Sequence, residues 1–157
     1  MLLPERFFLG GLAAFLIAHL AYIAGFNSTS LPLRWESALA AAAVLATAAN
    51  IGRYMRRSVN HTTHSRRLAA AVTLYTAVIS LMVLSGVITL FKPEWSHSSA
   101  VLCSLGAVLF WISDGVLGLS RFVRSYRYAP LGVMVTYHLG QVAIAAGVLS
   151  AYGMLNP

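Results

Sequence analysis

Residues 68–91 read LAAAVTLYTAVISLMVLSGVITLF and contain no charged side chain. At about 1.5 Å per helical residue, that run is long enough to cross a hydrocarbon core of about 30 Å. Inside lipid the backbone must satisfy its own polar groups, so the run predicts a transmembrane helix. Four further runs on either side are nearly free of charge: 7–26 (FFLGGLAAFLIAHLAYIAGF), 36–54 (ESALAAAAVLATAANIGRY), 99–120 (SAVLCSLGAVLFWISDGVLGLS) and 130–153 (PLGVMVTYHLGQVAIAAGVLSAYG). The expected fold is an all-α membrane protein, a polytopic bundle of about five transmembrane helices forming one domain over residues 1–157.

Composition agrees with this reading. The 157 residues are 59% apolar and only 10% charged, with a mean hydropathy of +0.75, which excludes an ordinary soluble domain. The first run is not read as a signal peptide, because His19 and Tyr22 interrupt its apolar stretch and four more runs follow. The loops between runs are short, the longest being RRSVNHTTHSRRL at 56–68. The Ala-rich segment 38–43 is expected to let neighbouring helices approach closely.

The net charge of +7 is distributed by loop. Arg53, Arg56, Arg57, Arg66 and Arg67 cluster at the second loop, and Arg121, Arg124 and Arg127 at the fourth. The first and third hold Arg34 and Lys92. An excess of cationic residues marks the cytoplasmic side, so the N-terminus is expected inside and the C-terminus outside, in a bacterial inner membrane. Short basic loops of this kind orient a chain and meet anionic headgroups, and no nucleic-acid partner is expected. His61 and His64 lack an accompanying Cys or carboxylate and read as a solvated loop, so no metal or other cofactor is expected. Cys103, the single cysteine, cannot form an intrachain disulfide and reads as a small packing residue.

Polar side chains within spans are costly, which makes them the candidates for function. Asp114 is the only acid well inside a run, with Ser113 beside it. Counting along the helices puts Asp114 roughly 9 Å, and Tyr75 and Tyr137 roughly 10 Å, inside the cytoplasmic end of their spans. His19 and Gln141 fall deeper, at about 18 Å by the same count. Tyr137 and Gln141 are four apart, and Phe15, His19, Tyr22 and Phe26 form one helical stripe. The expectation is a polar seam through the bundle, a water-accessible cavity with Asp114 near its mouth and His19 and Gln141 deeper. Interhelical hydrogen bonds that merely hold a bundle together would use the same side chains. No serine triad, phosphate loop or dinucleotide fingerprint is present.

Four segments, FFLGGLAAFLIAHLAYIAGF, LYTAVISLMV, GAVLFWISDGVLGLSRF and TYHLGQVAIAAG, taken in order, resemble the lysoplasmalogenase (YhhN-like) family of multi-pass membrane hydrolases. They match that family's F-x-x-G-L…F-x-x-x-H-x-x-Y, Y-x-x-x-I-x-x-M, G-A-x-x-F-x-x-S-D-x-x-L and T-Y-x-x-x-Q patterns. The resemblance implies cleavage of the vinyl ether bond of lysoplasmalogens, releasing a fatty aldehyde and glycerophosphocholine or glycerophosphoethanolamine, with water as co-substrate. Its polar positions fall on His19, Tyr22, Tyr75, Ser113, Asp114, Tyr137 and Gln141. Asp114 is then one member of a pair of catalytic carboxylates that divide acid and base roles, and the others position water and the lipid headgroup or tune Asp114. Family members usually have about eight spans, with a Gly-Asp pair ending the helix before the segment that resembles MLLPERFFLGG here. The chain is therefore expected to be an N-terminally truncated fragment, lacking about three helices and one of the two membrane acids that activity would need. The alternative is a non-catalytic membrane module that binds or transports lipid.

Overall fold

The computed structural model describes residues 5–29, 31–32, 34–62 and 66–153. Among the described residues it contains five α-helices and no strand. They are α1 (Glu5–Phe26), α2 (Trp35–Thr62), α3 (Arg66–Ile88), α4 (His97–Phe122) and α5 (Ala129–Ala151), with a 3-10 turn at Thr89–Phe91 closing α3. Each overlaps one of the five predicted runs. Among the described residues, four spans are long and apolar enough to cross a membrane: Trp35–Arg57, Ala69–Phe91, His97–Phe122 and Ala129–Ala151. α1 adds a shorter apolar stretch, Gly10–Phe26.

The main departure from expectation is at α2, which was expected to end near residue 54 and runs on to Thr62. Most of the expected longest loop is thus helix. Residues 53–62 hold neither Gly nor Pro, and Arg53, Met55, Arg56 and Arg57 are good helix formers. The helix therefore has no local reason to stop where the apolar run does. His64 and the side chains of His61, Arg66 and Arg67 lie outside the described residues. α3 tightens at its end because Lys92 precedes Pro93 and takes an extended conformation (φ −90°, ψ 122°), which blocks further α-helix. Ser96 caps α4 by accepting from the Ser99 amide at 3.2 Å, and Pro130 occupies the first turn of α5.

α3 is central, packing on α1, α2 and α4, while α4 has its closest neighbour in α5. The α4–α5 seam is built from small residues. A Cβ at Gly106 would lie 2.7 Å from the Gly140 carbonyl oxygen, and one at Gly147 would lie 2.6 Å from Cys103 Sγ. Cys103 is fully buried there, a packing residue as expected. Such contacts let two backbones approach closely, which is how membrane helices gain van der Waals energy without a hydrophobic drive between them. In the Ala-rich segment 38–43, Ala40 and Ala41 are half-buried while Ala38, Leu39, Ala42 and Ala43 are exposed. The core comprises Phe26, Ile79, Met82, Val83, Phe110 and Ile144, with Trp95 at one end. Leu20, Leu74, Leu81, Leu105, Leu139 and Val142 face outward, as suits a lipid-facing surface.

At the end of the bundle away from the Arg-rich loops, Lys92 is 3% exposed and donates from Nζ to the Phe26 carbonyl at 2.8 Å. The same amine reaches the carbonyl and hydroxyl oxygens of Thr29. It thereby caps the last turn of α1, where carbonyls lack helical partners. Asn27 ties the same corner to α3 through Ser85 Oγ at 2.8 Å. Desolvation lowers the Lys92 pKa from its ordinary 10.5, with Glu94 acting in the opposite direction.

Candidate functional site

Helices α1, α3 and α4 each contribute one polar side chain to a common point. His19 on α1 is fully buried, and its Nε2 lies 3.1 Å from the Tyr75 hydroxyl on α3. That hydroxyl donates to Oδ2 of Asp114 on α4. His19 Nε2 is also 3.7 Å from the same carboxylate oxygen. The Tyr75 proton is committed to the carboxylate, so its oxygen is left to accept from Nε2–H. Neutral His19 is then the Nε2–H tautomer. Its Nδ1 is buried without a hydrogen-bond partner among the described residues.

A second polar contact stands apart from this network. The Tyr22 hydroxyl on α1 donates to Oε1 of Gln141 on α5 at 2.6 Å. Tyr137 enters through its ring, which meets Phe15 edge-on at 5.8 Å and Phe110 at 5.3 Å between centroids. Phe110 also places an edge against His19 at 4.9 Å. Ser113 does not join the network: its hydroxyl is turned to the Val133 carbonyl at 3.0 Å and ties α4 to α5. Of the seven candidates, His19, Tyr75 and Asp114 thus form one cluster and Tyr22 and Gln141 another. Tyr137 belongs to an aromatic group in contact with His19, and Ser113 is a helix tether.

Counting along helices set His19 a layer deeper than Asp114, whereas the two touch. The reason is directional. Every Cα–Cβ bond leans toward its helix N-terminus, and α1 and α4 run in opposite senses, so His19 and Asp114 lean toward one another. Phe110 was not among the candidates, although it precedes Asp114 by four residues and therefore shares its face of α4.

The expected open cavity with Asp114 at its mouth is, in this structure, a packed network in which the Asp114 side chain is 13% exposed. A cavity of about 400 Å³ between α1 and α5 is lined by Tyr22, Phe26, Trp95, Ile144, Val148 and Tyr152. A smaller one of about 120 Å³ between α1 and α3 is lined by Leu12, Leu16, Leu74 and Tyr75. Neither is lined by Asp114. No group of three or more His, Cys, Asp or Glu side chains able to hold a metal occurs among the described residues.

The sequence pattern of the YhhN family matches residues 1–148. Over 151 residues the chain is 31% identical to the mouse protein "Lysoplasmalogenase TMEM86B", covering 96% of this chain and 58% of that one. It is 28% identical over 142 residues to "Lysoplasmalogenase" of Mycobacterium tuberculosis, covering 89% and 50% respectively. The human "Lysoplasmalogenase TMEM86B" is 29% identical over 142 residues, with coverage of 90% and 54%. The chain spans about half the length of the curated relatives it matches. No solved structure matches it.

Proposed function

The chain belongs to the YhhN family, and from that membership together with the His19–Tyr75–Asp114 network we propose that it acts in the hydrolysis of the vinyl ether bond of lysoplasmalogens. It is an integral membrane protein. In the proposed orientation the Arg-rich loops face the cytoplasm of a bacterial cell and the C-terminus faces outward.

The observation that carries the reading is a carboxyl group within a span held by a hydroxyl that a buried imidazole in turn contacts. Vinyl ether hydrolysis needs an acid that protonates carbon and a base that then activates water. One carboxyl can perform both in sequence. Protonated Asp114 gives its proton to the alkenyl carbon remote from oxygen, leaving an oxocarbenium ion. The resulting carboxylate takes a proton from the attacking water and is restored to its acid form. The hemiacetal so formed transfers its hydroxyl proton to the glycerol oxygen as the C–O bond breaks, releasing the fatty aldehyde and the glycerophospho-base. Tyr75 and His19 hold the carboxyl in place, and His19 Nδ1 offers an acceptor to the water. Tyr22, Gln141 and Tyr137 position the substrate, and Ser113 positions α4 against α5.

Aldehyde release from a 1-alkenyl lysophospholipid by the purified chain, with the 1-acyl ester as control, tests the reading. Asp114→Asn is expected to lower the rate by about 10² to 10⁴-fold. Release at an undiminished rate by Asp114→Asn would overturn the role given to that residue.

A further inference from the structure

α2 touches mainly α3, and on the face between them lie two adjoining clefts. One, of about 460 Å³, runs from Arg53 and Arg56 on α2 to Leu45 and Leu81 in the middle of the spans. The other, of about 550 Å³ and more open, is lined by Ala69, Ala70, Leu74 and Ala77. Arg56, Thr73 and Ala77 line both. From residue 45 to residue 56 a helix rises about 16 Å, which sets the length of the first cleft, and from residue 69 to residue 77 about 12 Å, which sets that of the second; both run along the helix axes with a guanidinium among their lining groups.

The walls are apolar in effect. Thr73, Thr76 and Ser80 present hydroxyls to the cleft region, but each donates to a carbonyl of its own helix, at 2.8, 2.8 and 2.6 Å. Gly52 leaves room beside them: a Cβ there would meet only Thr76 Cγ2, at 3.8 Å.

Charge is unbalanced at this end. The second basic cluster carries five arginines, whereas the chain has four acids in all. Glu36 and Glu94 are at the opposite ends of α2 and α3, Asp114 is engaged by Tyr75, and Glu5 opens α1. Guanidinium groups at the rim of two greasy slots suit a phosphate attached to two hydrocarbon chains. A zwitterionic headgroup brings its own cation and balances less of this charge.

We propose that the paired slots between α2 and α3 bind one anionic diacyl phospholipid, its phosphate on Arg53 and Arg56 and one acyl chain in each slot. The site is separate from the His19–Tyr75–Asp114 network and does not depend on the reaction assigned to it.

Native mass spectrometry of the detergent-purified chain, with dioleoyl phosphatidylglycerol and dioleoyl phosphatidylcholine in competition, reads the site directly. One retained phosphatidylglycerol is expected, preferred by about 25-fold, from about fivefold for each guanidinium. R53Q/R56Q should bring the preference near parity, R53K/R56K should keep most of it, and R124Q/R127Q, in the other basic loop, should leave it intact. G52L, which fills the cleft with both arginines present, should abolish retention, and this variant decides the matter should R53Q/R56Q fail to fold. An equal loss in R124Q/R127Q would make the effect diffuse charge and overturn the site. Full retention by G52L, or displacement of the lipid by inorganic phosphate alone, would overturn the seating of chains in the slots.

Discussion

His19 Nε2 on α1 stands 3.7 Å from Asp114 Oδ2 on α4, and the Tyr75 hydroxyl of α3 contacts both. Three helices are therefore joined at one buried point by one proton-bearing hydroxyl. In a low-dielectric interior such a network is strong when complete and costly when one member is lost. The same arrangement both fixes the orientation of α1 against α4 and holds the one acid that lies well inside a span.

Tyr75→Phe removes the donor to Asp114 and the acceptor for His19 while keeping the ring. The turnover of the lysoplasmalogen assay is expected to fall by up to about a hundredfold through misplacement of the carboxyl. KM should change little, because the hydroxyl is engaged by protein groups. A change confined to KM would place Tyr75 on the substrate instead.

Gly106→Ala and Gly115→Ala differ by context alone. At Gly106 an added Cβ comes within 3 Å of the Gly140 carbonyl oxygen, Ile144 Cγ1 and the Ile144 amide, and backbone cannot swing aside. Overpacking of that kind costs about 1–3 kcal/mol, so the melting midpoint in detergent should drop. At Gly115 nothing beyond its chain neighbours and the local backbone of its own helix lies within 4 Å of the added methyl, and the substitution should be neutral or raise stability by up to about 1 kcal/mol through helix propensity. Equal melting of the two variants would contradict the close α4–α5 seam.

Lys92 is the only lysine in the chain, which makes its titration separable. Its folded pKa is lowered from 10.5 chiefly by desolvation, so between the two values the unfolded chain binds more protons than the folded one. Stability then rises with pH across that window as the buried ammonium is neutralised. The neutral amine still donates to Phe26. Lys92→Met should lose this alkaline rise relative to the parent chain. At neutral pH it should cost about 1–3 kcal/mol for the carbonyls left bare at the end of α1. Parallel pH curves for the two proteins would refute the assignment.

The five helices were legible because uncharged runs of that length have one solution in lipid, and α3 shows it most clearly. The end of α2 was not, since hydropathy marks where a span leaves the hydrocarbon and says nothing of where a helix stops. Asp114, His19 and Tyr75 stood out as polar groups in spans, yet their contact depends on the opposed lean of side chains on antiparallel helices. Axial counting omits that lean. Ser113 illustrates the opposite limit: its place beside Asp114 in sequence turns it about 100° around the helix, toward the Val133 carbonyl.

Tyr22 and Gln141 form the polar link between α1 and α5, and Tyr22 also lines the cavity between those helices. A double-mutant cycle with Tyr22→Phe and Gln141→Leu should give a coupling of about 0.6 kcal/mol, and no more than about 1.7, the range met for hydrogen bonds between membrane helices. Neither single variant leaves a charge buried, so both should fold and the cycle should close. If the pair also positions substrate, the two singles should raise KM for the lysoplasmalogen together, and the double variant should be little worse than either, because each change alone already breaks the contact. A coupling near zero with additive effects on KM would mean that the two side chains act independently and that the hydrogen bond does not hold α1 against α5.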